Sequence, residues 1–437
     1  MREDRKEERK TRLDNFSKVV DQLEGLYEHR KQHPTTKTEE VHYEVTLKGL
    51  KEVRDAADAG RPVVVVTGEF PWEVLDCFPD VTWFSMVCGG GVITKMMRMH
   101  EETQRKAAEV GLKEENCTVC RMLVGCDLLQ YVPLPDVLIS NCVGQCDNIS
   151  NMGPLLNFHT QTPYFFLDGC YKPTKRSVDY MAAQLRQMIS FLEEQLHVKA
   201  DWDKFQEIFK ISEKQLELSK EIHRLFAEKP APGRNRWATN YHWLQLDTSG
   251  KEEGIYFMET LRDDLKKNLE ERRASGFKER YRISDLMLFP PHHLKIADWM
   301  EKEWGAYIVS APGQLYWGDV DFDPKKPLEA IATKYFAEPC VRQFGLLFGE
   351  EIGVESGLKF MLEDLEQAKV DAGIYIYNRT CPIMSAIHRI INDVIKNKFG
   401  IMTLVQGIDI MDLRPETAGD MQSQFEEFME LLAASQK

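Results

Sequence analysis

Two stretches of this chain follow one plan. Residues 62–86, PVVVVTGEFPWEVLDCFPDVTWFSM, read as apolar strand, Phe-Pro, short helix, second strand, and residues 281–311, YRISDLMLFPPHHLKIADWMEKEWGAYIVSA, repeat that order. Further on, AGIYIYNRTCP (372–382) matches VLISNCVGQC (137–146), each with Asn and then Cys past a strand, and FGIMTLVQGID (399–409) matches TPYFFLDG (162–169). Continuous apolar runs of four or five residues are what parallel strands buried on both faces require. The repeat therefore restricts the fold to α/β: two similar Rossmann-like parallel-sheet domains facing across a cleft, where ligands collect.

Boundaries follow from the pattern. Residues 1–48 form an amino-terminal helical segment, 49–175 a first α/β domain, 176–280 a helical connecting region and 281–437 a second α/β domain. In the first segment Leu13, Phe16, Val19, Val20, Leu23 and Leu26 fall at helical spacing, an apolar face for a neighbour or a partner subunit. The first domain reads strands at 63–67, 82–87, 137–140 and 163–169 and helices at 71–77 and near 93–110. Gly89, Gly90 and Gly91 lack the GxGxxG and Walker spacings, so they read as a flexible loop beside the site, not a phosphate cradle. In the connecting region Met181, Leu185, Met188, Ile189, Leu192 and Leu196 form a core stripe. Helices follow at 203–228 and 254–274, with a polar, aromatic loop, APGRNRWATNYHWLQLDTSG (231–250), between them.

Five of the ten cysteines crowd into residues 116–148, NCTVCRMLVGCDLLQYVPLPDVLISNCVGQCDN. Asn116 is placed to cap a helix whose first turn carries Cys117 and Cys120 on one face. Cys142 and Cys146 fall beyond the carboxyl end of the strand at 137–140, where open α/β sheets bind ligands. A positive helix end favours thiolate, the form that iron and zinc bind.

Composition narrows the partners. A formal charge of −14 without a basic stripe argues against nucleic acid. No apolar run reaches a membrane span, and the start, MREDRKEERK, lacks the hydrophobic core of a signal peptide, so a cytoplasmic protein is expected. In that reducing compartment ten cysteines point to metal binding or redox chemistry before disulfides. No P-loop is present.

The residues carry a resemblance. CTVCR followed by Gly125, PDVLISNC with the following CD, then GIYIYNRTC, a helix and GIMTLVQGIDIMD are similar to the subunits of 2-hydroxyacyl-CoA dehydratases and benzoyl-CoA reductases, over most of residues 50–435. In that family one 4Fe-4S cluster per subunit is held by three cysteines, which map onto Cys117, Cys146 and Cys381. The surplus thiols, Cys120 and Cys142 among them, resemble the double-cubane branch, whose 8Fe-9S cluster takes six cysteines. The resemblance then implies Cys117, Cys120, Cys142, Cys146, Cys340 and Cys381 as ligands, with Cys340 chosen because Pro339 and VRQFGLLFG suggest a helix start. Cys126 lies nine residues from Cys117, ~13 Å along a helix and half a turn away, and reads as core; Cys170 is the reserve.

Cys77 reads as a small buried hydrophobe, and Cys88 as a thiol beyond a strand that would line the cleft. His159, His292 and His293 take structural roles, whereas His388, in the helix after Cys381, is best placed to donate a proton.

The implied function is an iron-sulfur reductase that receives low-potential electrons from an ATP-hydrolysing activator protein and reduces a small unsaturated molecule. The alternative is a 2-hydroxyacyl-CoA dehydratase or benzoyl-CoA reductase subunit with a single 4Fe-4S cluster. A third class is a non-catalytic electron carrier or a zinc-stabilised scaffold. Double-cubane proteins are homodimers, and the amino-terminal helix offers an interface for one.

Overall fold

A computed structural model of the chain describes residues 3–33, 35–141, 146–170, 172–315, 320, 323, 325–338, 341, 356–412 and 414–435. The chain divides into two compact units: residues 1–215, 244–257 and 320–336 form the first, and residues 216–243, 258–319 and 337–437 the second.

The first unit holds a parallel sheet of β1 (Val63–Val66), β2 (Thr82–Ser85), β3 (Val137–Asn141) and β4 (Tyr164–Leu167) in the order β2-β1-β3-β4. The second holds β5 (Tyr281–Asp285), β6 (Ala306–Ser310), β7 (Ala372–Asn378) and β8 (Met402–Ile408), parallel and ordered β6-β5-β7-β8. The repeat in the sequence is thus a repeat of topology, and two Rossmann-like parallel sheets are present. In each, the strand order reverses between the first and third strands, and such a switch point leaves a crevice at the carboxyl ends. The helices that follow β3 and β7 begin there. Every residue of β1 is buried, as the four-valine run requires.

Four expectations are corrected. The triple glycine is no loop: Met86–Met97 is a helix, whose cap Ser85 accepts from the Cys88 N–H, and a second helix, His100–Glu109, follows it where one was expected. A Cβ on Gly89 would stand 2.3 Å from the Phe84 ring and one on Gly90 2.5 Å from Leu123 Cδ2. These glycines let a helix press onto β2 and onto the helix Thr118–Leu128, and that packing outweighs a helix penalty of about 1 kcal/mol each. The stretch 231–250 contains the helix Asn235–Asp247, with Trp237, Tyr241 and Leu244 buried at i, i+4 and i+7. Its flanking Pro and Gly residues concealed that stripe.

The amino-terminal helix, Glu3–Gln32, is also not a free interface. It packs on the helix Lys37–Asp58 and on Met86–Met97, with Phe16, Val19, Val20 and Leu23 buried and Phe16 edge-on to Phe84 at 5.5 Å. Arg12 forms a buried ion pair with Asp127 at 2.7 Å, and Arg9 bonds Asp136 at 2.7 Å. Of the two expected readings of this apolar face, the structure bears out the neighbour, which buries it, so the face is not the interface expected for a second subunit. The fourth correction concerns the helix cap at residue 116 and is given with the site. Among the described residues no helix is long and apolar enough to cross a membrane.

Candidate functional site

The helix Thr118–Leu128 is capped by Cys117, not by Asn116. Cys117 has φ −52° and ψ 127°, and its side chain makes no capping bond. The helix Asp147–Thr160, the first after β3, is capped in the same way by Cys146, with φ −67° and ψ 103°. In the second unit the helix Pro382–Phe399, the first after β7, is capped by Cys381, with φ −100°, ψ 108° and Pro382 in its first turn. Three sulfurs therefore occupy one structural position, the N-cap, in three different helices. At that position the unsatisfied N–H groups of the first turn and the helix dipole both favour a thiolate.

Within the first unit two of these helix starts are joined. The Cys117 backbone N–H donates to Asn148 Oδ1 at 3.2 Å, and Asn148 lies two residues beyond Cys146. Asn148 was visible in the sequence only as the end of the cysteine-rich stretch; a bond across 31 residues leaves no trace there. Cys120 is buried one turn into the Cys117 helix. No disulfide joins the described cysteines, and among the described residues no three His, Cys, Asp or Glu side chains converge closely enough to hold a metal ion. Cys142 and Cys340, two of the six expected ligands, lie outside the described residues.

The other thiols sort by environment. Cys126 is fully buried, bonded to Thr94 Oγ1 at 3.5 Å, and burial pushes its thiol up to about 12, as suits a core residue. Cys77 donates to the Val74 carbonyl at 3.0 Å and is likewise pushed up by burial to about 12. Cys88 is held well above its ordinary value by burial and by Asp247. Asp247, 159 positions away, was missed because nothing local marks it. Cys170 is half-buried just past β4.

In the second unit Cys381 packs against the cluster that contains Tyr375 and Met384. His388, half-buried two turns into the same helix, stacks on Tyr377 with centroids 5.3 Å apart and planes 9° apart. Its Nδ1 lies 2.5 Å from the Ser385 carbonyl. A carbonyl only accepts, so Nδ1 carries the proton, and Nε2 of the neutral ring is left as the acceptor. Tyr375, flanked by Cys381 and His388, donates to the Met384 carbonyl at 3.0 Å. His293 Nε2 meets the Asp412 carbonyl at 2.9 Å, a structural role, and His159 is exposed at the end of its helix. His292 is half-buried.

The chain is similar to known proteins over most of its length. The chain is 24% identical over 347 residues, 76% of its length and 80% of the relative's, to the (R)-2-hydroxyisocaproyl-CoA dehydratase alpha subunit of Clostridioides difficile. It is 22% identical over 345 residues, 76% of each chain, to the lactoyl-CoA dehydratase subunit alpha of Anaerotignum propionicum. A family profile described as 2-hydroxyglutaryl-CoA dehydratase, D-component, matches residues 50–432, both sheets and all three capping cysteines included. The chain belongs to that 2-hydroxyacyl-CoA dehydratase family.

Proposed function

We propose that this chain is the iron-sulfur subunit of a 2-hydroxyacyl-CoA dehydratase, which removes water from a 2-hydroxyacyl thioester after accepting an electron from an ATP-hydrolysing activator protein. The observation that carries the reading is the placement of Cys117, Cys146 and Cys381 at helix N-caps, in a chain matched to the family across both sheets. The donor set suits a soft, redox-active cluster better than a hard cation. A 4Fe-4S cluster bound by these thiols would supply a low-potential electron and an iron for the substrate's oxygen. His388, with Nε2 free to take up a proton when the ring is neutral, would move a proton next to Cys381.

A second reading, the double-cubane reductase, is favoured by one observation. Cys120 is buried a single turn from Cys117, a thiol beyond what one cubane needs. That reading goes with a homodimer; the dehydratase goes with a second, different subunit.

The test is anaerobic purification with iron and acid-labile sulfide counted per chain, followed by incubation of (R)-2-hydroxyisocaproyl-CoA or lactoyl-CoA with an activator, ATP and a reductant. About four irons and formation of the 2-enoyl thioester support the dehydratase. About eight irons without thioester turnover support the reductase. A colourless protein containing zinc overturns both. Cys117→Ser, Cys146→Ser and Cys381→Ser should each lose iron, and Cys126→Ser should keep it.

A further inference from the structure

The second unit contains a cavity of about 600 Å³ at the amino ends of β5 and β7, with mainly polar walls. Asp371, on its wall, directly precedes β7, and Cys381 follows the far end of that strand. A length of ~20 Å of strand therefore separates the cavity from the proposed cluster ligand.

Four cations border the space: Arg224 in the last turn of the helix Trp202–Phe226, Lys229, Arg280 just before β5, and Lys369, the C-cap of the helix Gly357–Ala368. All are exposed, and among the described residues none has a carboxylate within ion-pair distance. The acids on the walls are mostly engaged elsewhere. Glu279 pairs with Arg282 at 2.6 Å and Glu228 with Arg273 at 2.8 Å. Asp371 accepts the Arg282 backbone N–H at 2.8 Å and, among the described residues, is the one wall carboxylate without a charged partner. Four positive charges thus face one negative charge, in a chain whose formal charge is −14.

Helix carboxyl ends attract cations for the sake of the dipole alone, and their free carbonyls would repel an anion. Arg282 removes that obstacle. Its buried guanidinium donates to the carbonyls of Ala227, Glu228 and Ala368 at 2.7, 3.2 and 2.8 Å. Its own carbonyl accepts from the Asp371 N–H at 2.7 Å. One residue therefore ties together the segments that bear Lys229, Arg280 and Lys369, which holds their backbones around the space before any ligand arrives.

We propose that this cavity binds a polyphosphate group, two or three phosphates long, on Arg224, Lys229, Arg280 and Lys369. Several negative charges on few atoms match an excess of three positive charges, whereas a single carboxylate would leave most of that excess unpaired. Arginine forks pair bidentately with phosphate oxygens. The polar walls offer little to an apolar anion. Inorganic polyphosphate and the phosphate chain of a nucleoside triphosphate present the same chemistry to these side chains.

The test is calorimetry on the full chain, purified anaerobically, in magnesium-free buffer with sodium tripolyphosphate, adenosine triphosphate, orthophosphate and sulfate as probes. Tripolyphosphate should bind one to one, at least tenfold tighter than orthophosphate or sulfate. Its affinity should fall about tenfold between about 50 mM and about 300 mM sodium chloride, since the cations are exposed to screening. Adenosine triphosphate binding as tightly supports a nucleotide as the source, and binding at least tenfold weaker supports the inorganic chain. Lys229→Gln combined with Lys369→Gly should weaken tripolyphosphate at least tenfold. Lys369 has φ +50°, which glycine adopts freely, so the second change keeps the backbone. Lys10→Glu, the same change in net charge at an exposed site in the first unit, should leave the affinity within twofold. No binding, orthophosphate binding as tightly, undiminished affinity in the double variant, or an equal loss in Lys10→Glu overturns the proposal.

Discussion

Asn148 accepts a hydrogen bond from the Cys117 backbone N–H at 3.2 Å, so the start of the helix Thr118–Leu128 is tied to the first turn of the helix that Cys146 caps. Two sulfurs expected to serve one cluster thus have their backbones fixed by one amide.

Asn148→Ala removes that tie. Its thermodynamic cost should be about 1 kcal/mol, that of one hydrogen bond. On the proposed iron-sulfur reading, the larger effect should be on iron, which the variant should lose to a chelator several-fold faster than the parent protein. Following the cluster's visible absorbance under anaerobic conditions checks this. A rate equal to the parent's would show that the two cysteines are positioned by something else.

Gly125 is required for a different reason. A Cβ there would stand 2.2 Å from the Thr103 carbonyl oxygen and 2.6 Å from Thr103 Cα, backbone atoms of the helix His100–Glu109. Gly125→Ala should destabilise the protein by about 2–3 kcal/mol despite its better helix propensity, because two backbones must separate. Gly419, in the helix Pro415–Ser435, meets nothing within 4 Å, and Gly419→Ala should gain about 0.5–1 kcal/mol. Urea denaturation of both variants gives the comparison.

Glu73 and Lys334 form an ion pair in the interior of the first unit, with Ser212 and Ser249 donating to the same carboxylate oxygen at 2.8 and 2.9 Å. Burial would raise the Glu73 pKa, but the charge and hydrogen bond of Lys334 outweigh it and hold the group below the usual carboxylate value. Lys334→Met alone leaves a carboxylate without its counter-charge and should cost about 3–5 kcal/mol. Glu73→Gln combined with Lys334→Met should recover most of that loss. Denaturant midpoints of the single and double variants measure the coupling.

His242 gives the second unit a dependence on pH. Its ring is fully buried, and burial pushes it down to about 4 from an ordinary 6.5, against a hydrogen bond to the Gln314 backbone. The unfolded chain therefore takes up a proton first as pH falls. The stabilisation is whole above pH 6.5 and drains away between 6.5 and 4, about 3 kcal/mol over that window. Urea midpoints at pH 7 and pH 4.5 should differ less in His242→Gln than in the parent.

Much of the scaffold was legible because it rests on short-range signals. Valine runs such as 63–66 have one reading in a parallel sheet, and the Asn-Cys pairs at 141–142 and 378–381 mark where β3 and β7 end. What escaped depends on tertiary contact. Gly89 and Gly90 suggest a loop until Phe84 and Leu123 are seen against them. The helix Asn235–Asp247 hides behind Pro230, Pro232 and Gly233 although Trp237, Tyr241 and Leu244 keep its period. At the site, the residue types and the helix after Cys381 were visible, but the capping positions of Cys117 and Cys146, Asn148 bonded to Cys117 and Asp247 beside Cys88 were not, since each depends on contacts beyond the local sequence.

The ion pair between Arg12 and Asp127 also bears on handling the protein. Asp127 stands at the far end of the helix that opens with Cys117, so trimming the chain at Lys37 would strand a carboxylate indoors and bare Phe84 to water. Shortened versions should precipitate sooner than they crystallise, because the first thirty residues work as a bolt through the first unit.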